Sequence, residues 1–465
     1  MTEPLWTSEA IVAATGGRLS GPPFAVSGVS IDSRDISAGD LFVALAGERD
    51  GHDFVAGALA AGAVGALTSR VIPGSCIVVE DTLKALERMG EAARVRAGSA
   101  RRGAVTGSVG KTSVTQAIRA GLERAGRAHS SVKSYNNHIG VPLTLARMPA
   151  DTERAIFEIG MNHANEIRPL TQMVRPHAVA ITTVGAVHVE NFPDGEAGIA
   201  RAKAEIFAGL EPGGVAVLNA DSAWFDYLAS EARNVGAVVR AFGVKAGSDA
   251  QLRGVSAGEI GVRVEAVVDG QQISFPLLQT GTHWGPMSLC VILMLRALDV
   301  DMKTALQALA AFAPLAGRGA EETVRLAGGS FTLVDESYNA NPISVGAALR
   351  TLGSRPVSGR RIAVLTDMLE LGEQSPAYHA GLAEPIEAAG IDLVFGAGPL
   401  MKYLIEALPP TRRGGYAEDA AGLEPLVVRA VEPGDVVMVK GSRDSKAKAL
   451  AQALAALGPV AGEGA

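Results

Sequence analysis

A glycine-rich segment that ends in a lysine and two hydroxyl residues is the strongest chemical signal in the sequence. It lies between a short apolar stretch and a predicted helix that begins near Lys111. Glycines let backbone N–H groups approach phosphate oxygens closely, and the helix N-terminus adds partial positive charge. Lys111 would reach the β- and γ-phosphates of a nucleotide, and the Thr112 hydroxyl would hold Mg²⁺. The predicted phosphate site consists of Gly107, Ser108, Val109, Gly110, Lys111, Thr112 and Ser113.

The segment is a short variant of the common phosphate loop. The usual motif carries a glycine five residues before its second glycine, and Val105 stands at that place here. An ordinary turn that happens to contain Gly-Lys-Thr is the alternative. The strand before the segment and the helix after it are what a phosphate loop requires, so they favour nucleotide binding.

Three further residues are candidates for the same site. Glu158 ends the next apolar strand, where a carboxylate can bind Mg²⁺, although a lone glutamate at a strand end is more often a solvated cap. His188 follows another strand, and magnesium prefers oxygen ligands, so chemistry alone makes it a hydrogen-bonding loop residue. Lys203 lies on a predicted helix. Its alternatives are a surface lysine, a phosphate contact, or a carbamate that donates oxygens.

The elements that must position these residues alternate between strand and helix. Near-continuous apolar runs at 155–158, 178–183 and 214–219 are typical of parallel strands covered on both faces, and 195–210 is predicted to be helical. This pattern predicts a doubly wound α/β domain over residues 99–316, in which ligands collect at the carboxyl ends of the strands.

The flanking regions repeat the alternation in smaller form. Residues 317–465 predict a Rossmann-like domain with strands at 331–335, 361–366, 392–395 and 435–439. Residues 1–98 predict a small α/β domain, with a buried strand within 39–45, a helix over 54–66 and a linker over 94–102. The sequence from about Gly458 onward predicts a tail with no assignable role. The predicted fold is therefore α/β with three domains.

Composition excludes several functional classes. The net charge of -7 argues against a general nucleic-acid binder, which would carry a basic face. The most apolar segment, 289–298, is broken by Arg296 and is too short to span a bilayer. The residues before Glu9 carry no apolar run, so no secretory signal is expected. Cys76 and Cys290 cannot form a disulfide framework. A cytoplasmic protein with no membrane span is expected.

Several motifs, in this order, resemble those of the Mur ligases, which build peptidoglycan precursors. The resemblance covers nearly the whole chain. The matching segments are 106–112, Tyr135–Pro142, Glu158–Asn162, His188, Lys203, Asp335–Pro342 and Val439–Arg443, with 32–34, 39–45 and 50–54 in the N-terminal domain.

The resemblance implies a role for each domain. Residues 1–98 would bind the UDP-sugar, 99–316 would bind ATP and carry the ligase centre, and 317–465 would close over the nucleotide and the amine substrate. Lys111, Glu158, His188 and Lys203 would be catalytic, and Thr112, Glu158, His188 and a carbamylated Lys203 would bind the metal. Arg318 and Asp335 would contact the nucleotide. Substrate contacts are implied for Ser33, Arg34, Asn136, Asn137, Asn339 and Asn341.

Within the family, the 136–142 and 335–342 segments resemble the member that joins D-alanyl-D-alanine to UDP-N-acetylmuramoyl-tripeptide. The implied chemistry is ADP-forming amide synthesis through an acyl phosphate, with ATP and Mg²⁺, by a monomer. The alternatives are a sister ligase that adds the third residue and an inactive nucleotide-binding homologue. The sequence leaves open whether the third peptide residue is diaminopimelate or lysine.

Two positions depart from the family pattern. Met287 stands where the family has an asparagine near the adenine, and a thioether cannot make the hydrogen bonds of an amide. Thr366 stands where the family usually has a glycine. The first departure bears on nucleotide affinity and is the sole support for the inactive homologue.

Overall fold

The computed structural model describes residues 3–131, 134–258 and 261–458, which form three α/β regions in chain order, each built around one large sheet. The predicted α/β fold class is confirmed. The predicted tail from about Gly458 onward lies almost wholly outside the described residues. No helix within the described residues is both long and apolar enough to cross a membrane.

The first sheet has five strands in the order β2-β7-β6-β5-β4, and β2 alone runs antiparallel to its neighbour. Its helices and strands are β1 (Trp6–Thr7), α1 (Ser8–Thr15), β2 (Arg18–Ser20), β3 (Ala25–Val26), β4 (Gly28–Ser30), β5 (Asp40–Val43), α2 (Val55–Ala60), β6 (Gly65–Thr68), β7 (Cys76–Val78) and α3 (Thr82–Arg96). The β1 and β3 strands pair separately.

Two predictions in this region were wrong in part. The helix expected over 54–66 ends at Ala60, and Ala66 belongs to the buried strand β6. The linker expected over 94–102 is mostly regular structure, because α3 continues to Arg96 and the next strand starts at Arg101. The arginines that suggested a linker fold back instead, and Arg96 donates hydrogen bonds to the carbonyls of Leu5 and Met148.

The central sheet has nine strands in the order β16-β15-β14-β13-β12-β11-β8-β10-β9. Its helices and strands are β8 (Arg101–Thr106), α4 (Lys111–Ala125), β9 (Ala128–Ser130), α5 (Gly140–Ala146), β10 (Arg154–Glu158), α6 (Ile167–Val174), β11 (Ala178–Ile181), α7 (Glu196–Ala204), β12 (Val215–Asn219), α8 (Phe225–Asn234), β13 (Val238–Gly243), β14 (Ala250–Ala257), β15 (Val262–Val268), β16 (Gln271–Leu277), α9 (Trp284–Ala297) and α10 (Met302–Ala311).

Helices cover both faces of the parallel part of this sheet. One face packs against α5 to α8, and the other packs against α4, α9 and α10. The strand order reverses around β8, which lies between β11 and β10. Such a reversal opens a crevice at the carboxyl ends of the strands, where ligands bind in this fold.

The third sheet has six strands in the order β17-β18-β22-β19-β20-β21, with β17 antiparallel to β18. Its helices and strands are β17 (Ala320–Leu326), β18 (Gly329–Glu336), α11 (Pro342–Gly353), β19 (Arg361–Thr366), α12 (Ser375–Ala380), α13 (Ala383–Ala388), β20 (Leu393–Ala397), α14 (Met401–Ala407), β21 (Arg413–Ala417), α15 (Ala420–Ala430), β22 (Val436–Lys440) and α16 (Ala447–Ala455). Two apolar clusters fill its two faces. The exact domain boundaries stay predictions.

Candidate active site

The loop between β8 and α4 is shaped by its glycines. Gly107 and Gly110 have φ angles of 147° and 84°, which L side chains rarely adopt. A Cβ at Gly107 would also lie 1.9 Å from Thr182 Oγ1. Thr182 braces the loop by donating a hydrogen bond to the Val109 carbonyl at 2.5 Å, and Ser108 N donates to the Thr183 carbonyl at 2.8 Å. The loop is therefore held in one shape by the strand end beside it.

Lys111 bends back over this loop. Its Nζ donates a hydrogen bond to the Gly107 carbonyl at 2.7 Å. Loss of hydration lowers the pKa of Lys111, and the nearby Glu158 carboxylate opposes that shift. The amine therefore lies at the mouth of the loop, where the negative charge of a bound phosphate would favour its protonated form.

Glu158 faces the start of α4 from the end of β10. Thr112 Oγ1 donates to Glu158 Oε2 at 2.7 Å, and Asn136 Nδ2 donates to Oε1 at 2.8 Å. Glu158 is only 2% exposed, which excludes the solvated-cap alternative. Its carboxylate and the Thr112 hydroxyl are hard oxygen donors beside a phosphate loop, and Mg²⁺ binds such sets together with phosphate oxygens and water.

The donor set therefore fits magnesium bound mainly through the nucleotide. Within the described ranges, no three His, Cys, Asp or Glu side chains are grouped so that they could hold a metal by themselves.

His188 adopts a left-handed backbone conformation, with φ of 52°, after β11. Its Nδ1 lies 2.6 Å from Glu370 Oε2 of the C-terminal sheet, in an ion-pair contact that is not aligned as a hydrogen bond. Burial lowers the pKa of His188, as do the charges of Lys111 and Lys203, while Glu370 opposes them. The histidine therefore contacts the opposite side of the cleft.

Lys203 is buried within α7 at 2% exposure, which excludes the surface-lysine alternative. Among the described residues its Nζ has no hydrogen-bond or ion-pair partner. Burial holds the pKa of Lys203 well below its usual value, and the charge of Lys111 adds to the effect. A neutral amine is the form that can add carbon dioxide, so the surroundings suit the carbamate alternative.

The C-terminal sheet reaches into the same site through Arg318 and Tyr338. Arg318 Nη2 donates to Thr112 Oγ1 at 3.1 Å, and its guanidinium lies 3.9 Å from the centre of the Tyr338 ring. The Tyr338 hydroxyl donates to Ser134 Oγ at 3.0 Å. Asp335 lies behind this contact, since its carboxylate accepts hydrogen bonds from the backbone of Gly317 and Ser337 at 3.0 Å each. Asp335 thus holds the segment that carries Arg318.

A cleft of about 470 Å³ lies between the central and C-terminal sheets. Most of the predicted site residues line it: Ser108, Val109, Gly110, Lys111, Thr112, Ser113, Asn136, Asn137, Glu158, His188, Arg318, Asn339 and Asn341. Gly107, Lys203, Asp335, Ser33 and Arg34 are not among its lining residues. Arg34 lies on the N-terminal sheet region, where it forms an ion pair with Asp32 and is 86% exposed.

The four asparagines predicted to contact substrate also shape the backbone of the cleft. Asn137 Oδ1 accepts from Gly140 N at the start of α5, and Asn341 caps α11 by accepting from Ser344 N, each at 2.9 Å. Asn339 accepts from Ala340 N, and Asn136 holds Glu158. Their contribution to substrate binding stays a prediction.

The structure adds lining residues that the sequence did not single out as site residues. They include Ser134, Met161, Asn162, His283, Trp284, Glu336, Tyr338, Lys440 and Arg443. Lys440 and Arg443 follow a predicted strand end, which is the signal that could have found them. Met287 lines the cleft too, and its sulfur would lie 3.5 Å from a Cβ at Gly110, directly against the phosphate loop.

One more contact crosses the cleft near His188. A Cβ at Gly185 of the central sheet would lie 1.9 Å from Ile343 Cδ1, in the first turn of α11. The two sheets therefore meet at Gly185, where an added side chain would require the end of the Ile343 side chain to move.

Comparisons with known proteins agree over nearly the whole chain. Family models match residues 105–295 (Mur ligase middle domain), 322–443 (Mur ligase, glutamate ligase domain) and 25–97 (Mur ligase family, catalytic domain). The UDP-N-acetylmuramoyl-tripeptide–D-alanyl-D-alanine ligase of Escherichia coli is 34% identical, with 94% of this chain and 96% of that protein covered. The Bacillus subtilis ligase of the same name is 31% identical, with 95% and 96% covered.

Solved structures show the same likeness. A crystal structure of MurF from Acinetobacter baumannii has a TM-score of 0.86 and 26% identity, and the match covers 98% of this chain and 99% of that one.

Proposed function

The chain belongs to the Mur ligase family, whose members use ATP to form amide bonds, and we propose that it joins D-alanyl-D-alanine to UDP-N-acetylmuramoyl-tripeptide. The observation that carries this proposal is the pairing of the Lys111 loop with Glu158 in a cleft that Arg318 completes from the C-terminal sheet. The product would be a UDP-linked pentapeptide for peptidoglycan synthesis.

The chemistry begins with activation of a carboxylate, which is a poor electrophile for amines. A terminal carboxylate oxygen of the tripeptide attacks the γ-phosphorus of ATP, the bond to the β-phosphate oxygen breaks, and ADP leaves. The acyl phosphate is then attacked at its carbonyl carbon by the dipeptide amine, which loses a proton as inorganic phosphate departs.

The residues of the cleft act mainly by position and charge. Lys111 and Arg318 would lie against the transferring phosphoryl group and stabilise the charge on its oxygens. Thr112 and Glu158 would hold Mg²⁺, which when bound neutralises phosphate charge, with His188 and a carbamylated Lys203 at a second position. Asn136 orients Glu158 for this role.

The test is phosphate release from ATP with the UDP-tripeptide and D-alanyl-D-alanine supplied together and singly, using diaminopimelate- and lysine-containing tripeptides in parallel. We expect release only when both substrates are present, with a UDP-linked pentapeptide as the product. Turnover with a single amino acid as the amine would instead identify a sister ligase. No release with any pair would identify an inactive homologue.

Two variants test the assigned residues. Lys111→Ala should abolish ADP formation, because the phosphate loop loses its cation; normal turnover would refute the assignment. Lys203→Ala should lose activity that small carboxylates such as formate restore, because they can supply the oxygens of the missing carbamate. Full activity without added carboxylate would show that Lys203 has no role at the metal.

The cytoplasmic location and the monomeric state stay predictions.

A further inference from the structure

The cleft wall carries four lysine and arginine side chains within the described part of the chain: Lys111, Arg318, Lys440 and Arg443. The reaction brings several anions into this space, namely the nucleotide phosphates, the reacting carboxylate, and the carboxylate at the far end of the amine substrate. Each anion needs a cation or a set of donors once water is excluded. The groups that each of the four cations already contacts therefore indicate which anion it can bind.

Three of the four cations already have partners, either beside the predicted nucleotide site or in an ion pair with a carboxylate. Lys111 bonds to Gly107 at the phosphate loop, and Arg318 bonds to Thr112 at the start of α4. Lys440 is buried at 3% exposure, and its Nζ lies 3.2 Å from Glu336 Oε2 and 3.0 Å from the Asn339 carbonyl. Glu336 already balances the charge of Lys440.

Arg443 differs from these three. It is exposed, and its guanidinium has no hydrogen-bond, ion-pair or aromatic partner among the residues that the structure describes. Its backbone is fixed nevertheless. The hydroxyl oxygen Oγ of the preceding Ser442 accepts a hydrogen bond from Leu369 N at 3.0 Å. The Ser442 carbonyl accepts another from Ser445 N, also at 3.0 Å. An anchored backbone thus presents a free guanidinium to the cleft.

We propose that Arg443 binds the terminal carboxylate of the incoming dipeptide. This inference rests on the proposed function and names the group that recognises its second substrate. A guanidinium matches a carboxylate through two parallel hydrogen bonds, which fixes the direction of the bound molecule as well as its position. Held by its carboxylate on the C-terminal sheet, the dipeptide points its amine toward the central sheet, where the acyl phosphate forms.

The length of the substrate gives this arrangement selectivity. An extended dipeptide spans about 7 Å from amine to carboxylate, and a single amino acid spans about half of that distance. An anchor at one fixed point therefore favours an amine substrate of one length. Arg443 is a specificity-determining residue on this view, and it takes no part in phosphoryl transfer.

The experiment compares D-alanyl-D-alanine with its C-terminal amide, which lacks the charged carboxylate, in the full-length enzyme. The variants are Arg443→Ala, Arg443→Lys and a control, Arg325→Ala, an exposed arginine of β17 that does not line the cleft. Thermal denaturation of each variant confirms folding. Initial rates of phosphate release give KM for each substrate.

We expect Arg443→Ala to raise the KM for the dipeptide about 10- to 100-fold, the usual size of a lost hydrogen-bonded charge contact. The KM values for ATP and the UDP-tripeptide should not change. The wild-type and Arg325→Ala enzymes should use the amide about as poorly as Arg443→Ala uses the dipeptide. In Arg443→Ala, the dipeptide and its amide should be used equally, and Arg443→Lys should be intermediate.

Three outcomes overturn the proposal. One is a wild-type enzyme that uses the amide as well as the dipeptide. Another is an undiminished preference for the dipeptide in Arg443→Ala. The third is a rise in the KM for the UDP-tripeptide alone, which would assign Arg443 to a carboxylate of that substrate. A wild-type enzyme that releases phosphate with neither dipeptide nor amide refutes the proposed function itself, and that failure is visible before any variant is made.

Discussion

The central sheet meets its two neighbours through surfaces of opposite character. On the N-terminal side, α3 packs along α5, and Gly90 brings the helices so close that a Cβ there would lie 3.1 Å from Leu145 Cβ. Leu143 and Ala146 of α5 join the apolar core of the N-terminal sheet. Trp6 is 4% exposed and donates a hydrogen bond to the Ala146 carbonyl at 2.8 Å.

On the C-terminal side the contacts are mainly polar and lie around the cleft. They include Arg318 with Thr112, Tyr338 with Ser134, His188 with Glu370, and Arg355 with Thr280, and Ile343 against Gly185 is an apolar exception. Thr280 also donates to Glu321 Oε1 at 2.6 Å, and Glu321 pairs with Arg355. Such contacts between partly exposed groups contribute little net stability.

The difference indicates which parts of the molecule move together. Apolar surface buried between α3 and α5 would be exposed if the N-terminal sheet separated, whereas the polar groups of the other interface can bond to water instead. The N-terminal and central sheets should therefore behave as one body. The C-terminal sheet should open and close over the cleft, as binding three substrates requires.

The largest expected effect is at the apolar interface. Trp6→Ala should lower the free energy of unfolding by about 3–5 kcal/mol, because a buried aromatic side chain and its hydrogen bond are lost. Urea unfolding followed by circular dichroism measures the change. Val95→Ala, on the outer side of α3 at 70% exposure, is the matched control and should change stability by less than about 0.5 kcal/mol. Equal effects of the two substitutions would contradict a packed interface.

The second largest effect is expected on the free energy of unfolding when the pH is lowered. His129 bonds to the Thr144 carbonyl of α5 at 2.7 Å, and burial lowers its pKa from 6.5 to about 4. The unfolded chain binds the proton first as the pH falls, so this residue's contribution is full above pH 6.5 and declines toward pH 4. The loss between pH 7 and 4.5 should be about 2–3 kcal/mol.

Urea unfolding of wild type and His129→Gln across that pH range measures this contribution. The variant should be less stable at pH 7 and should have a shallower pH dependence. Parallel curves for the two proteins would show that His129 titrates alike in the folded and unfolded chains.

The third prediction concerns the polar interface. Arg355→Ala removes the contacts with Thr280 and Glu321, so the closed state should be less populated. We expect kcat/KM for ligation to fall about 10-fold, or about 1.4 kcal/mol, while the free energy of unfolding changes by less than about 1 kcal/mol. Steady-state phosphate release measures the first quantity and urea unfolding the second. Arg350→Ala, an exposed residue of α11, is the control. A large loss of stability with unchanged kinetics would show that this interface stabilises the fold and does not control closure.

The smallest effect is expected at Glu370. Glu370→Gln keeps the shape of the side chain but removes the charge that faces His188, so we expect about a threefold fall in kcat and no measurable change in stability. Glu373→Gln, an exposed acid in the same loop, should leave both unchanged. Identical kinetics in the two variants would remove Glu370 from the closing contacts.

Local patterns in the sequence account for what could be predicted. Apolar runs gave the parallel strands β10, β11 and β12 and four strands of the C-terminal sheet, because strands buried on both faces are apolar throughout. The phosphate loop could be found because its glycines, lysine and hydroxyl groups are adjacent in the chain. Glu158 could be placed beside it because the carboxyl ends of parallel strands share one edge.

Contacts between distant segments could not be predicted in this way. The antiparallel strands β15 and β16 are buried on one face, so their apolar residues alternate with polar ones and form no continuous apolar run, although that alternation also indicates a strand. The approach of Glu370 to His188 depends on how the central and C-terminal sheets pack together, and residue spacing along the chain does not predict that packing. The burial of Lys203 was likewise invisible, since its neighbours on α7 include both polar and apolar residues.

The missing side chain at Gly185 has a consequence for domain-swap chimaeras. Ile343 Cδ1 occupies the space that a Cβ at position 185 would need, although the two residues lie on different sheets. A side chain at 185 would therefore require Ile343, which is 38% exposed, to move its end aside when the cleft closes. In a C-terminal sheet exchanged between relatives, the ease of closure should depend on whether the side chain at 343 can move away from the residue at 185.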